Sequence, residues 1–355
     1  MSATTRTRET PVIRRRTLAL GALGAIGTLG TGLGRAQGPY KPEYKLSTLA
    51  GKPVSFGVIG ENWAEEVRER TKGRINIKVY PNSILMGGDQ TREFSALRQG
   101  VIDMAVGAGI SWSAQVKEFN VFSLPFLIPT NKVADAVVAG PVGDMIFARL
   151  RELGVEPLAW GDSSFRIVAN AKHPIRKPED LKGLKVRTIG SPLFTDLYTA
   201  MGANPTQMSL TDMMAALPTG AIDGVDNSLE GYQLLKLASL KQKYFTFLNY
   251  CWEPAVLSVN REAWNGWSRD DQEIVRRVAV EQGLKMREIK RKGVNDHDDS
   301  TVKELARQGV EVVQLTPAEL AAFRQATRPV YEKWAKMLDP KLVAAAEKSV
   351  AAALN

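Results

Sequence analysis

The amino-acid sequence predicts an α/β fold made of two halves. Strand-like segments, in which apolar and polar residues alternate, are followed along the chain by segments of helical periodicity, and this order repeats. The length of 355 residues is enough for two domains of ordinary size. No internal repeat and no low-complexity linker separates the halves, so we expect the chain to cross between them more than once.

The first half is predicted to contain four strands and three helices. The helix that begins near Asp89 has this residue as its N-cap and ends at Gly100. The apolar stretch VFSLPFLIP contains two prolines and is interpreted as a connection. The predicted strands are 44–49, 75–81, 101–109 and 155–161, and the predicted helices are 61–73, 88–100 and 133–153.

The second half follows the same alternation. Ser191 and Pro192 are typical of an N-cap and a first helical position, and Ser209 and Asp212 have the spacing of a capping box. Helices are predicted to fill most of the chain after the last strand. The predicted strands are 165–171, 184–190, 221–227 and 255–260, and the predicted helical segments before the last strand are 177–183, 191–202 and 209–220.

The positive charge of the chain is concentrated at its N-terminus. Residues 1–36 contain six arginines and one glutamate, which accounts for +5 of the net +9 and leaves +4 on the remainder. No other basic run with interleaved aromatic residues occurs, so nucleic acid is not an expected partner.

Three consecutive arginines, Arg14 to Arg16, precede an uncharged glycine-rich run from Thr17 to Gly34. This pattern predicts an export signal of the twin-arginine type, with an ordinary secretory signal as the alternative. We expect cleavage before Gln37 and a mature protein in the periplasm. A permanent membrane anchor is disfavoured, because the run is rich in glycine and barely long enough to span a bilayer.

Residues that carry catalytic chemistry are scarce. The chain contains two histidines, His173 and His297, and one cysteine, Cys251. No nucleophile-elbow, zincin or Walker motif occurs, and a single cysteine cannot form a thiolate metal cluster within the chain. We therefore expect no enzyme activity, no cofactor and no metal.

Polar side chains lie at the ends of three predicted strands. Arg187 and Asn227 end two of them, and Arg166 begins another. The carboxyl ends of parallel strands share one edge of a sheet, so Arg187 and Asn227 are expected in one crevice. A guanidinium can bind a carboxylate through two hydrogen bonds, and the helix that opens at Ser191 would add its positive end. A surface salt bridge is the alternative interpretation of Arg187.

The chain resembles the solute-binding subunits of TRAP (tripartite ATP-independent periplasmic) transporters, in their dicarboxylate-binding P-type family. The resemblance covers nearly all of the mature chain and rests on long motifs in the right order, which include VRERTKGRINIKVYPNSIL, LRQGVIDMAV, NAKHPIRKPEDLKGLKVRTIGSP and LSVNREAWNGWSRDDQEIV. It implies a periplasmic-binding-protein-like fold of two α/β domains joined by hinge strands, with C-terminal bracing helices. The implied division is 1–36 as the export signal, 37–164 with about 252–291 as domain I, 165–251 with about 292–315 as domain II, and 316–355 as helices packing across both.

The same resemblance implies a set of ligand-binding residues. The carboxylate-binding arginine of the family corresponds to Arg187, its second arginine to Arg166 and its asparagine to Asn227. This chain departs from the family at Asp226 and Ser228, where glutamate and proline are usual. The implied ligand-binding residues are Arg187, Arg166, Asn227, Gln90, Leu210 and Gly109.

The resemblance implies a function in transport. The protein would capture a small organic acid anion by its carboxylate, close around it and deliver it to integral membrane subunits, without an ATPase, and we expect a monomer. Departures on the specificity side of the site leave open a dicarboxylate or a hydroxy, oxo or aromatic monocarboxylate. The alternatives are a periplasmic enzyme that acts on a carboxylate, or a binding protein that serves a sensor or another class of transporter.

Overall fold

The computed structural model describes residues 40–293 and 299–355 and confirms the α/β class. The predicted export signal, its cleavage site at Gln37 and His297 lie outside the described residues. The described part contains ten strands, of which eight follow the order β2-β1-β3-β9-β4-β7-β5-β6, while β8 pairs with β4 and β10 pairs with β8. The strands are β1 Tyr44–Thr48, β2 Ile77–Tyr80, β3 Met104–Ala108, β4 Val155–Asn170, β5 Lys185–Thr188, β6 Asn204–Gln207, β7 Gly224–Ser228, β8 Tyr244–Phe247, β9 Trp252–Asn260 and β10 Glu311–Gln314.

Helices connect most of these strands. In the part of the chain that the structure describes, none is long and apolar enough to cross a membrane. The helix predicted at 61–73 begins at Ser55 and ends at Arg70. The prediction misses its first six residues, because this apolar segment contains two glycines and has no side-chain cap that would signal a start. The helices are α1 Ser55–Arg70, α2 Glu93–Arg98, α3 Gly109–Trp112, α4 Asn131–Ala139, α5 Pro141–Glu152, α6 Pro192–Ala200, α7 Leu210–Thr219, α8 Leu229–Leu234, α9 Arg261–Asn265, α10 Arg269–Arg291, α11 Ser300–Arg307, α12 Pro317–Met337 and α13 Pro340–Leu354.

The two strands predicted at 155–161 and 165–171 are one continuous strand, β4. The Gly-Asp-Ser-Ser sequence at 161–164 is typical of a turn, but the strand continues through it with a register shift in the pairing with β9 and a positive φ of 81° at Ser164. Asp162 stays buried in this segment because Arg291 Nε donates to it at 2.8 Å and Trp252 Nε1 at 3.1 Å. β4 pairs with β9 up to Phe165 and with β7 from Arg166 onward, so it runs through both parts of the sheet.

The single helix predicted at 133–153 is two helices, α4 and α5. Gly140 lies between them with an extended backbone (φ −108°, ψ −163°), and Pro141 takes the first position of α5. A residue that precedes proline is disfavoured in the helical region, which explains the break.

The long helix α10 packs along β4. An added Cβ at Gly283 would come within 2.4 Å of the Trp160 carbonyl oxygen, so only glycine permits this approach of helix and strand. The packing brings the last turn of α10 to β4, where Arg291 donates to Asp162, close to the point at which the two parts of the sheet meet at Arg166.

Two glutamates are buried in the described core. Glu93 accepts from Ser47 Oγ at 2.6 Å and from Trp112 Nε1 at 3.1 Å. Burial raises the pKa of Glu93 to about 7, although these two hydrogen bonds act to lower it. Burial also raises the pKa of Glu253 to about 7, although Ser123 Oγ donates to one of its oxygens. The second oxygen of Glu253 has no hydrogen-bond partner among the described residues. Both side chains are therefore favoured in the protonated form over much of the acidic range.

We expect Glu93→Gln to reduce the pH dependence of stability. A carboxyl group with a pKa near 4.5 unfolded and about 7 folded binds more protons in the folded state, so stability falls as pH rises through this window. The wild-type slope from this group is about 1.4 kcal/mol per pH unit, and the neutral glutamine removes it. Loss of the Trp112 hydrogen bond would change the free energy of unfolding by the same amount at every pH and would leave the slope unaffected. Urea unfolding at several values between pH 4.5 and 7 measures the slope, and an unchanged slope would contradict the assignment.

Candidate functional site

A cavity of about 60 Å³ lies where β5 and β7 face the segments that follow β1 and β3. Five of the six residues implied as ligand-binding line it: Arg187, Arg166, Asn227, Gln90 and Leu210. Gly109 is not among its lining residues, although its neighbours Ala108 and Ile110 are. A Cβ added at Gly109 would instead meet Phe119 and Pro254.

Strand pairing brings the three polar residues at the strand ends together. β5 and β7 are parallel neighbours, so Arg187 and Asn227 lie at the same edge, as predicted. Arg166 does not begin a strand, because β4 is continuous, but it lies opposite Ser228 in the antiparallel pairing of β4 with β7. This part of β4 therefore starts at the edge where β5 and β7 end.

Arg187 is buried, with an exposed fraction of 3%. Its Nε and Nη2 donate to the Met208 carbonyl oxygen at 3.0 and 2.9 Å, and its Nη1 donates to the Asp226 carbonyl oxygen at 3.5 Å. Among the described residues its hydrogen-bond partners are these two backbone carbonyls, and no carboxylate forms an ion pair with it. The alternative interpretation of Arg187 as a surface salt bridge is therefore wrong.

The environment of Arg187 disfavours its charge. Burial, together with the nearby charge of Arg166, lowers the pKa of Arg187 to about 10, so the group is still protonated at neutral pH. A guanidinium carries five N–H donors, and three are used here. One donor on each terminal nitrogen remains, which is the arrangement that binds a carboxylate through two hydrogen bonds.

Arg166 differs from Arg187 because it has a buried counter-ion. Its Nε donates to Asp226 Oδ1 at 2.8 Å, and its Nη2 donates to the same oxygen. The other carboxylate oxygen, Oδ2, accepts from Tyr198 at 2.9 Å and from Tyr250. Although burial acts to lower it, the carboxylate of Asp226 holds the pKa of Arg166 above its ordinary value.

Asn227 presents an unused donor at the cavity. Its Oδ1 accepts from the backbone N–H of Ser228 at 2.8 Å, while its Nδ2 is buried with no partner in the part of the chain that the structure describes. An added Cβ at Gly231 would lie 2.4 Å from Asn227 Oδ1, so glycine at that position makes room for the amide. A buried donor without an acceptor is unfavourable, and an anion in the cavity would satisfy it.

Glu230 on α8 links the two sides of the cavity. Its Oε1 accepts from the backbone N–H of Ser55 at 2.8 Å, and its Oε2 accepts from Ser55 Oγ at 2.9 Å. α1 begins at Ser55 and has no side-chain cap of its own, so Glu230 caps it from the opposite side. Lys290 Nζ at the end of α10 lies 2.5 Å from the same carboxylate.

The helix that begins after Ser191 does not contribute its positive end to the cavity. Ser191 occupies the N-cap position, but its hydroxyl makes no capping hydrogen bond, and neither Ser191 nor Pro192 is among the residues that line the cavity. The helix predicted from Ser209 is present as α7, with Ser209 Oγ accepting from the Asp212 N–H at 3.1 Å.

Sequence reasoning missed Glu230 and Lys290 as residues of the cavity wall. They come from α8 and α10, and no local pattern indicates that they meet. Asp226 differs from the glutamate that is usual in the family, and an acid within a buried strand is itself a signal that a cation lies nearby. Within residues 40–293 and 299–355, no group of three or more metal-ligating side chains could hold a metal ion.

Comparison with known proteins identifies similar chains. A family model described as bacterial extracellular solute-binding protein, family 7, matches residues 48–337. The C4-dicarboxylate-binding periplasmic protein of Rhodobacter capsulatus is 28% identical over 310 residues, which cover 86% of this chain and 90% of the relative. The 2,3-diketo-L-gulonate-binding periplasmic protein of Escherichia coli K12 is 28% identical over 293 residues, which cover 80% of this chain and 87% of the relative.

A solved structure is more similar. It is a TRAP periplasmic solute-binding protein from Ralstonia eutropha H16 with bound (S)-2-hydroxy-2-methyl-3-oxobutanoate, also called (S)-2-acetolactate. It is 50% identical, superimposes with a TM-score of 0.87, and the match covers 88% of this chain and 99% of that one.

Proposed function

The chain belongs to family 7 of the bacterial extracellular solute-binding proteins, and on this premise we propose that it captures a small organic acid anion by its carboxylate for a TRAP transporter. Proteins of this kind are binding proteins, and they work with integral membrane subunits. We propose that this protein delivers its ligand to such subunits in the periplasm, that it acts as a monomer, and that residues 1–36 direct its export.

The observation that carries the proposal is the unpaired charge of Arg187. A buried charge without a counter-ion is strongly unfavourable, and the partners of this guanidinium are backbone carbonyls. A carboxylate placed against its two free donors would supply the missing negative charge. The unpartnered Nδ2 of Asn227 would donate a further hydrogen bond to the same group.

The walls of the cavity favour a short ligand with an uncharged remainder. Apart from the two arginines and the Glu230–Lys290 ion pair, the cavity is lined mainly by apolar side chains. Its neutral polar groups are Gln90, Ser163, Asn227 and Ser228. The relative from Ralstonia eutropha, at 50% identity, carries a five-carbon hydroxy-oxo monocarboxylate. We infer that the ligand is a 2-hydroxy or 2-oxo acid of about this size.

Exchange of a buried ligand requires the cavity to open. We propose that the predicted domains, 37–164 with about 252–291 and 165–251 with about 292–315, move apart about β4 and β9, while residues 316–355 brace both. Contacts across the cavity would break in this motion, among them those of Glu230 with Ser55. Such hinge closure around ligands is common in binding proteins.

Thermal shift measurements with 2-hydroxy and 2-oxo acids of four to six carbons test the proposed function. A ligand at a hundred times its Kd adds about 2.7 kcal/mol of stability, which for domains of this size raises the Tm by roughly 5–10 °C. The acid should be recovered unchanged after long incubation. Failure of every acid to shift the Tm would contradict the ligand class, and conversion of the acid to product would favour an enzyme.

A further inference from the structure

The carboxylate of Asp226 lies buried beneath the cavity and is surrounded by donors. Both of its oxygens accept hydrogen bonds, from Arg166 on one side and from Tyr198 and Tyr250 on the other. A protonated acid would have to donate from one of these oxygens, so the geometry is that of an ionised carboxylate. Burial and the charge of Asp226 raise the pKa of both tyrosines well above the ordinary value, which makes them neutral donors.

The remaining charges at the cavity can then be balanced. The charged side chains that line the cavity are Arg166, Arg187, Lys290 and Glu230. Lys290 is paired with Glu230, and Arg166 is paired with Asp226. Arg187 is left as the one cation of the lining without an acidic partner among the described residues, so the cavity carries a net charge of +1.

Asp212 is the other acid whose charge acts on Arg187. It lies at the exposed start of α7, where its carboxylate accepts from Ser209 Oγ at 2.7 Å. Solvent screens a charge in that position far more than one beneath the cavity. The balance of charge inside the cavity therefore depends on Asp226 and Glu230.

We propose that Asp226 sets the charge of the ligand: by neutralising Arg166 it leaves a single positive charge in the cavity, so the protein selects monocarboxylates over dicarboxylates. This inference rests on the proposed function and deepens it. Asp226 acts through Arg166, whose Nε and Nη2 are both directed at it and not at the cavity. The second carboxylate of a dianion would be buried without a counter-ion and near Glu230, which is strongly unfavourable.

Two acids of matched shape provide the test. 2-Hydroxy-4-methylpentanoate carries an isopropyl group where malate carries its second carboxylate, so they differ mainly in charge. Calorimetric titration gives, for each variant, the Kd of malate divided by the Kd of the monoacid. We expect the wild-type protein to bind the monoacid at least tenfold more tightly than malate.

Removing one negative charge from the protein should lower this ratio, because malate should then bind more tightly relative to the monoacid. In Asp226→Asn the amide can still donate to the two tyrosines and accept from Arg166, but the net charge rises by one, and we expect the ratio to fall at least tenfold. Glu230→Gln raises the charge by one at a different place and should act in the same direction. It also keeps the inference testable if Asp226→Asn does not fold.

Restoring the charge should restore the selectivity. The double variant Arg166→Gln with Asp226→Asn again leaves a single positive charge, so its ratio should return to within about threefold of the wild type, which a purely structural role of Asp226 does not predict. A wild-type protein that binds malate as well as the monoacid, or folded Asp226→Asn and Glu230→Gln variants with unchanged ratios, would overturn the inference and leave carboxylate capture intact. A wild-type protein that binds neither acid would contradict the proposed ligand class as well.

Discussion

Arg187→Ala is expected to weaken the binding of a small carboxylic acid by about 2–5 kcal/mol, because the ligand's carboxylate would be buried without its partner. Arg187→Lys keeps the charge but loses the forked geometry, so we expect a clear but smaller loss. Isothermal titration of the wild type and both variants measures the effect. Arg276→Ala is the matched control, because Arg276 pairs with Glu156 and is not among the residues that line the cavity.

The ligand-free stability of Arg187→Ala distinguishes a binding role from a structural one. Within residues 40–293 and 299–355 no carboxylate pairs with this buried guanidinium, so its removal should leave the free energy of unfolding unchanged or higher. Affinity equal to that of the wild type in a folded Arg187→Ala variant would contradict the role of Arg187 as the carboxylate anchor.

Arg166→Met is expected to lower the free energy of unfolding by about 3–5 kcal/mol, since it leaves the Asp226 carboxylate buried and unpaired. The family resemblance implies that Arg166 is the second ligand-binding arginine, whereas the structure pairs it with a fully buried acid. Urea unfolding followed by tryptophan fluorescence measures the loss. Adding Asp226→Asn should recover most of it, because both charges of the pair are then gone.

The control for this experiment is an ion pair at the surface. Arg70 and Glu281 are paired but substantially exposed, with side-chain exposures of 38% and 42%, so Arg70→Met should cost less than about 1 kcal/mol. A loss in Arg166→Met no larger than that of Arg70→Met would show that Asp226 does not depend on Arg166 for its burial.

The parts of the site that follow from local patterns could be predicted from the sequence. Alternation located the strands that end at Arg187 and Asn227, and parallel neighbours place both residues at one edge. The same reasoning gave Arg166 a separate strand, because Gly161 to Ser164 has the composition of a turn. Asp162 in that segment is hydrogen-bonded to Arg291, which stabilises it within the strand although Arg291 lies more than a hundred residues further along the chain.

The electrostatics of the site could not be predicted in this way. The pairing of Arg166 with Asp226 joins residues 60 positions apart, and Glu230 meets Ser55 across 175 positions. Periodicity reports which face of an element is buried, but it does not report which polar groups meet there. The sequence therefore does not show that Arg187 lacks an acidic partner, because this depends on which side chains meet in the folded protein.

A crystal structure with bound 2-hydroxy-4-methylpentanoate is the most direct measurement of the central claim, that Arg187 holds the carboxylate of a small monoanion. We expect the two carboxylate oxygens about 2.7–2.9 Å from Nη1 and Nη2 of Arg187. One of these oxygens should also accept from Asn227 Nδ2, while Arg166 stays on Asp226. A carboxylate bound elsewhere in the cavity, with Arg187 still bonded to backbone carbonyls alone, would contradict the claim.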